Sequence, residues 1–269
     1  MSGAGFLALC LILGALPAAA DPCASRTGQP LGPLQVGLRD GELGLARPAC
    51  PTTGLALGGE AGVVADVRNF YGQLRGALRL SGSYAIGEST ELFGSLEALR
   101  YQTVISSVTA EAAGLGHLSL GATQRLLSRE DLTLAATARL VLPTATGLYE
   151  HIRPIGLDAA VIAEQTLGAQ WRLHAQAGLL SSAAISDVRS QPRLGVAVTA
   201  GAGWQARPWL SVVADLHASV AYASLLDVLG VGLGVRAGGE HLGAELGAML
   251  PVAGQRSPIA GVLRATWRL

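Results

Sequence analysis

His117 and Ser119 stand two residues apart, the spacing that in a β-strand turns an imidazole and a hydroxyl to the same face. There the ring could draw off the hydroxyl proton and create a nucleophile. A hydrolase of that design needs a third group to orient the imidazole. Asn69 is the only Asn in the chain and falls in a connection, while Leu118 and Leu120 claim the apolar side of the same segment. The acyl-transfer set is incomplete, and the chain reads as a non-enzyme. His117, His151, His174, His217 and His241 lack metal-ligand spacing, and no Gly run forms G-x-G-x-x-G between a strand and a helix. No metal and no cofactor are expected.

The chemistry that remains is electrostatic. Arg75, Arg79, Glu97, Arg139, Asp158, Glu164, Arg172, Asp215 and Arg264 each sit in a segment where every second residue is apolar. The same polar face carries Glu60, Asp66, Glu91, Arg125, His174, His217, Arg236, Glu245 and Arg268. Carboxylates and guanidiniums balance on this face. Such a face could line a mixed-charge aqueous passage or cancel internally as ion pairs.

The element that positions these charges is a strand. From about residue 54 onward apolar and polar positions alternate with the period of 2 that marks β-structure. Leu74, Gly76, Leu78 and Leu80 oppose Gln73, Arg75, Arg79 and Ser81; Leu132, Leu134, Ala136, Ala138 and Leu140 oppose Thr133, Thr137 and Arg139. Twelve such segments are expected, at 55–67, 72–85, 90–101, 114–127, 131–142, 156–167, 170–180, 193–206, 209–222, 227–238, 241–251 and 259–269. Their connections alternate in length. Gly87-Glu88-Ser89, Ser128-Arg129-Glu130, Leu167-Gly168-Ala169, Arg207-Pro208 and Gly238-Gly239-Glu240 are tight, whereas 102–113, 143–155, 181–192 and 252–258 are longer. Short turns at one end and longer loops at the other are the habit of transmembrane barrels.

Composition separates this reading from a soluble β-sandwich. Only 14% of the 269 residues are charged, 50% are hydrophobic, and the mean hydropathy is +0.41. A soluble domain has about 25% charge. Nineteen basic residues, all Arg, balance nineteen acidic ones, which leaves no excess for a nucleic-acid partner. The expected fold is an all-β, antiparallel up-and-down transmembrane β-barrel of about 12 strands over residues 54–269. Amphipathic rings should then mark both membrane interfaces. Trp171, Trp204, Trp209 and Trp267, with Tyr84, fall at short-turn strand ends, and Tyr71, Tyr101 and Tyr222 at long-loop ends.

Residues 1–20, with an apolar run from Phe6 to Leu13 and the close Pro17-Ala18-Ala19-Ala20, read as a secretory signal peptide. Its removal would take Cys10 and leave Cys23 and Cys50 in an oxidising compartment, where a Cys23–Cys50 disulfide is expected. Residues 21–53 lack the alternation and carry breaks such as Gly28-Gln29-Pro30 and Gly32-Pro33. They form either a periplasmic tether or a plug stapled by the disulfide.

Two segments carry resemblances. Ala265-Thr266-Trp267-Arg268-Leu269 resembles the terminal strand of bacterial outer-membrane barrels, with Leu269 in place of the commoner Phe. That resemblance implies recognition by the barrel-assembly machinery. Leu140-Val141-Leu142-Pro143-Thr144, followed by Gly147, resembles a strand-end element of the outer-membrane transporters of the phenol-degradation meta-pathway family, which are similar to FadL-type channels. The Asn-Pro-Ala signature of true FadL proteins is absent, so a fatty-acid substrate is not implied. The function expected is passive passage of small molecules across the outer membrane of a Gram-negative bacterium, with outer-membrane lipid and lipopolysaccharide as surroundings. A non-conducting structural or adhesive barrel is the alternative, and an outer-membrane acyl hydrolase a distant third.

Overall fold

In the twelve strands of this barrel the wettable side chains point inward and the apolar ones outward. The computed structural model describes residues 49–50, 54–68, 71–105, 110–146, 153–185, 192–221, 226–239, 241–254 and 257–269. These form β1 (Leu55–Arg68), β2 (Tyr71–Ile86), β3 (Thr90–Ile105), β4 (Ala110–Gly114), β5 (Leu118–Ser128), β6 (Leu132–Leu142), β7 (Arg153–Leu167), β8 (Trp171–Ile185), β9 (Pro192–Arg207), β10 (Leu210–Ala221), β11 (Val228–Gly238), β12 (Leu242–Ala253) and β13 (Ser257–Arg268). The strands pair antiparallel in sequence order, except that β4 and β5 both pair with β3, and β1 pairs with β13 over Ala56↔Arg268 to Val67↔Ser257, which closes the ring. Closure leaves no free edge around the ring at the level of β1, β13 and the strands between them, the condition for β-structure inside a bilayer.

Burial gives the direction of each face. Glu91 and Glu97 are 2% exposed and Glu164 3%, whereas Leu246 is 63% and Leu80 53% exposed. In water that arrangement would strand apolar area outside and force carboxylates into a small interior. Lipid around such a barrel would remove the first cost, and ion pairing within it offsets the second. The short-turn end needs left-handed residues at two tight turns, and Gly87 (φ 67) and Gly168 (φ 64) supply them without a Cβ clash.

One stretch departs from simple alternation. The sequence predicts a long connection at 102–113 and a strand from 114; instead β3 runs to Ile105, and β4 and β5 occupy one strand position interrupted at 115–117. The interruption is held from outside the ladder. Thr146 N–H donates to the Leu115 carbonyl at 3.1 Å, Leu115 N–H to Thr146 Oγ1 at 3.1 Å, and Leu118 N–H to Thr144 Oγ1 at 2.8 Å. Thus the segment after β6 pairs backbone groups that the broken strand leaves over. Connections at 181–192 and 252–258 are likewise shorter than expected, because β8 runs to Ile185, β9 starts at Pro192, and β13 starts at Ser257.

The aromatic residues divide as their strand ends require. Trp171, Trp204, Trp209, Trp267 and Tyr84 are exposed at the short-turn end, and Trp171 and Trp204 form a cross-strand pair with centroids 6.5 Å apart. At the other end Thr103 donates to the Tyr101 hydroxyl at 2.5 Å. The side chain of Tyr71, and Tyr222, lie outside the described residues. Tryptophan fluorescence of the refolded protein is expected to be quenched more strongly by lipids brominated near the headgroup than by lipids brominated at mid-chain. Stronger mid-chain quenching would remove the girdle.

Cys50 is disulfide-bonded and 7% exposed. Cys23 and the expected signal peptide fall outside the described residues. Ala49 is fully buried against Ala135 and Ile162, and its N–H donates to Glu164 Oε1 at 2.9 Å. Ala49 therefore lies inside the barrel, against β6 and β7.

Candidate functional site

The inward charges are brought together by register. Arg236↔Glu245, Glu245↔Arg264, Arg264↔Glu60, Glu60↔Arg79 and Arg79↔Glu97 are successive cross-strand partners on β11, β12, β13, β1, β2 and β3. Their side chains join into a belt of alternating sign. Arg236–Glu245 is 3.1 Å, Arg264–Glu245 3.6 Å, Arg264–Glu60 3.8 Å, Arg79–Glu60 3.4 Å and Arg79–Glu97 2.9 Å. Arg100 ends the belt, 3.6 Å from Glu97. Each charge thus has an opposite neighbour at the separation where a low-dielectric interior makes the attraction strong.

Arg100 was missed by strict alternation, which sends it to lipid. Arg79 opposes Glu97 while Leu78 opposes Leu99, so Ala98 has no partner and forms a bulge. A bulge adds one residue and reverses which face the following residues occupy. The only sequence signal for it would have been Leu99, an apolar residue at an otherwise polar parity.

The opposite wall is organised differently. Asp158 Oδ2 accepts from Arg139 Nε at 3.0 Å and Nη2 at 2.7 Å. His174 Nε2 meets Asp215 Oδ1 at 2.6 Å across the intervening strand β9, where Gly201 lies between them. A Cβ on Gly201 would overlap both partners. His217 Nδ1 lies 3.0 Å from Thr199 Oγ1. Glu164, Arg172, His174 and Arg236 line a cavity with room for about one water. Arg75 lies inside, hydrogen-bonded to Gln73, and Ser119 Oγ shares a hydrogen bond with Ser95 Oγ at 2.8 Å. His117 gives its backbone N–H to Glu97 Oε2 at 3.3 Å.

Inward glycines are places where neighbours intrude. Besides Gly201, Gly116 receives the Glu97 carboxylate and Gly121 the Phe93 ring. Above the belt Val64, Val228, Met249, Ala260 and Val262 form an apolar cluster within the lumen.

A closed ring of strands of this kind has solved counterparts. An outer-membrane channel of Pseudomonas putida superposes with a TM-score of 0.62 at 16% identity, over 80% of this chain and 96% of that one. The chain has the fold of an outer-membrane β-barrel. The transport unit of the autotransporter AIDA-I from Escherichia coli is similar with a TM-score of 0.56 at 10% identity, over 81% of this chain and 91% of that one. The translocator domain of the autotransporter NalP from Neisseria meningitidis gives 0.54 at 12% identity, over 81% and 89%. No protein-family model matches the chain, and no curated protein matches it in sequence.

Proposed function

We propose that this protein is a channel of the Gram-negative outer membrane that passes small molecules passively. The observation that carries the reading is a closed barrel with an apolar exterior and a charged interior. Its fold is shared with the Pseudomonas putida channel, which supports the reading. The resemblance of 140–147 to the meta-pathway transporters points the same way, while Glu164, Arg172 and the Arg139–Asp158 pair would shape the field in the lumen. Insertion through the assembly machinery by way of β13, and contact with lipid and lipopolysaccharide, belong to the same proposal.

The test is conductance of the refolded chain from residue 21 in a planar bilayer, with heat-modifiable gel mobility as the check on folding. Stable conductance steps are expected. Replacing Arg139 and Arg172 together by Gln is expected to shift ion selectivity toward cations. The packed belt and the apolar cluster favour a second reading, a non-conducting structural barrel. A folded, silent protein whose Arg139/Arg172 variant only loses stability would establish that one.

A further inference from the structure

Ala49 and Gly54 are neighbours in sequence, yet they are held on walls that nearly face each other. The Gly54 carbonyl accepts from Ala85 N–H at 3.1 Å and the Leu55 carbonyl from Leu269 N–H at 2.9 Å, which fixes this point to β2 and β13 at the short-turn end. Ala49 packs on Ala135 and Ile162, register partners on β6 and β7, and its N–H donates to Glu164 Oε1 at 2.9 Å. Glu164 stands opposite Thr133, the second residue of β6, so this anchor also lies near the short-turn end. With β4 and β5 sharing one position, the ring order sets β6 four positions from β1 and β7 five, close to the opposite side. The second anchor is tight. Ala49, Ala135 and Ile162 are fully buried, Glu164 is buried beside Arg172 and His174, and Cys50 adds a disulfide as a further constraint.

We propose that the chain between these anchors is a strap across the short-turn mouth of the lumen, that it sets the size limit of the channel, and that Glu164 is the residue that positions it. The inference rests on the channel reading and adds what decides which solutes pass. Five residues reach at most about 17 Å. Following the wall past β2, β3 and β5 would cover more than four spacings of about 4.8 Å, about 20 Å before any strand tilt, so the short path runs through the interior. The carboxylate suits the anchoring role, because a bond from N–H to an ionised acceptor is shorter and stronger than a neutral one. Releasing it would leave a buried backbone N–H without a partner. A solute must then pass beside the strap, and its width matters more than its charge.

Swelling of proteoliposomes in arabinose, glucose and sucrose, uncharged sugars of increasing size, reads the limit on the refolded chain from residue 21, with heat-modifiable mobility as the check on folding. Wild-type protein is expected to pass arabinose and exclude sucrose. Ala49→Pro deletes the N–H and lies outside every strand; it is expected to admit sucrose and to raise single-channel conductance several-fold. Glu164→Leu should do the same, whereas Glu164→Gln keeps an acceptor and should keep the wild-type limit. Because the sugars are uncharged, the loss of a lumen charge by itself would not separate Leu from Gln. Free passage of sucrose through the wild type, or an unchanged limit in both Ala49→Pro and Glu164→Leu, would overturn the strap and leave the channel standing. A silent wild type with a conducting Ala49→Pro variant would support the strap as a full occlusion. Folded wild type and variants that all pass nothing would bring down the channel reading and the strap with it.

Discussion

Glu60→Leu is expected to destabilise the folded barrel by about 3 to 5 kcal/mol, the usual cost of removing one partner from a buried ion pair. Glu60 lies 3.4 Å from Arg79 and 3.8 Å from Arg264, with side-chain exposures of 9% for Glu60, 9% for Arg79 and 15% for Arg264. Its loss leaves those two guanidiniums facing each other across an apolar residue. The effect falls on the seam where β1 meets β13 and the ring closes. Gly58, Gly59, Ala61 and Gly62 give β1 few side chains with which to fix its register there. A slip by two residues would keep the lipid face outside but set Glu60 opposite Val262 or Thr266 in place of Arg264. Urea titration followed by heat-modifiable mobility reads the stability. A Gly59→Cys/Ala265→Cys cross-link, placed at native register partners, reads the slip. An unchanged urea midpoint with normal cross-linking in Glu60→Leu would show that the belt does not secure closure, while Glu60→Gln, which keeps the shape and an acceptor, should lose less.

Gly201→Val is expected to cost a similar amount by a different route. The added Cβ would collide with Asp215 Oδ1, His174 Nε2 and the Ala214 carbonyl. The first two could retreat only by parting a 2.6 Å contact between groups of 8% and 1% side-chain exposure. The carbonyl belongs to the β9–β10 ladder and cannot retreat without opening it. Overpacking of this kind costs about 1 to 3 kcal/mol before the loss of the pair is added. Gly203→Ala is the internal control. It lies on the same strand and face, and its methyl group would meet nothing nearer than 3.8 Å, so its urea midpoint should stay near wild type. If the two variants unfolded together, the clearance at Gly201 would have no special role.

Some inner-wall residues declare themselves by parity and others do not. Arg79, Glu97, Asp158 and Arg264 stand at alternate positions of long apolar-polar segments, so their common face follows from the two-residue period of a strand. Arg100 needed knowledge of the bulge at Ala98, which depends on how β2 pairs with β3. The glycines of β9 and β11 suggest empty space when read one strand at a time. In the folded barrel Gly201 is filled by side chains from β8 and β10, whereas a methyl group on Gly203 or Gly232 would make only ordinary contacts.

The sequence by itself determined the all-β class, the strand number, the short-turn and long-loop ends and the inward side of most strands. All of these follow from local periodicity and turn chemistry, which a single segment carries within itself. The tertiary structure alone decided the pairing of the charges, the break at 115–117 stitched by Thr144 and Thr146, and the entry of Ala49 into the lumen to meet Glu164. Those depend on the register between strands and on contacts as distant as 115 residues in the chain. A period of two fixes which face a residue takes, but it says nothing about which residue on the next strand will stand opposite.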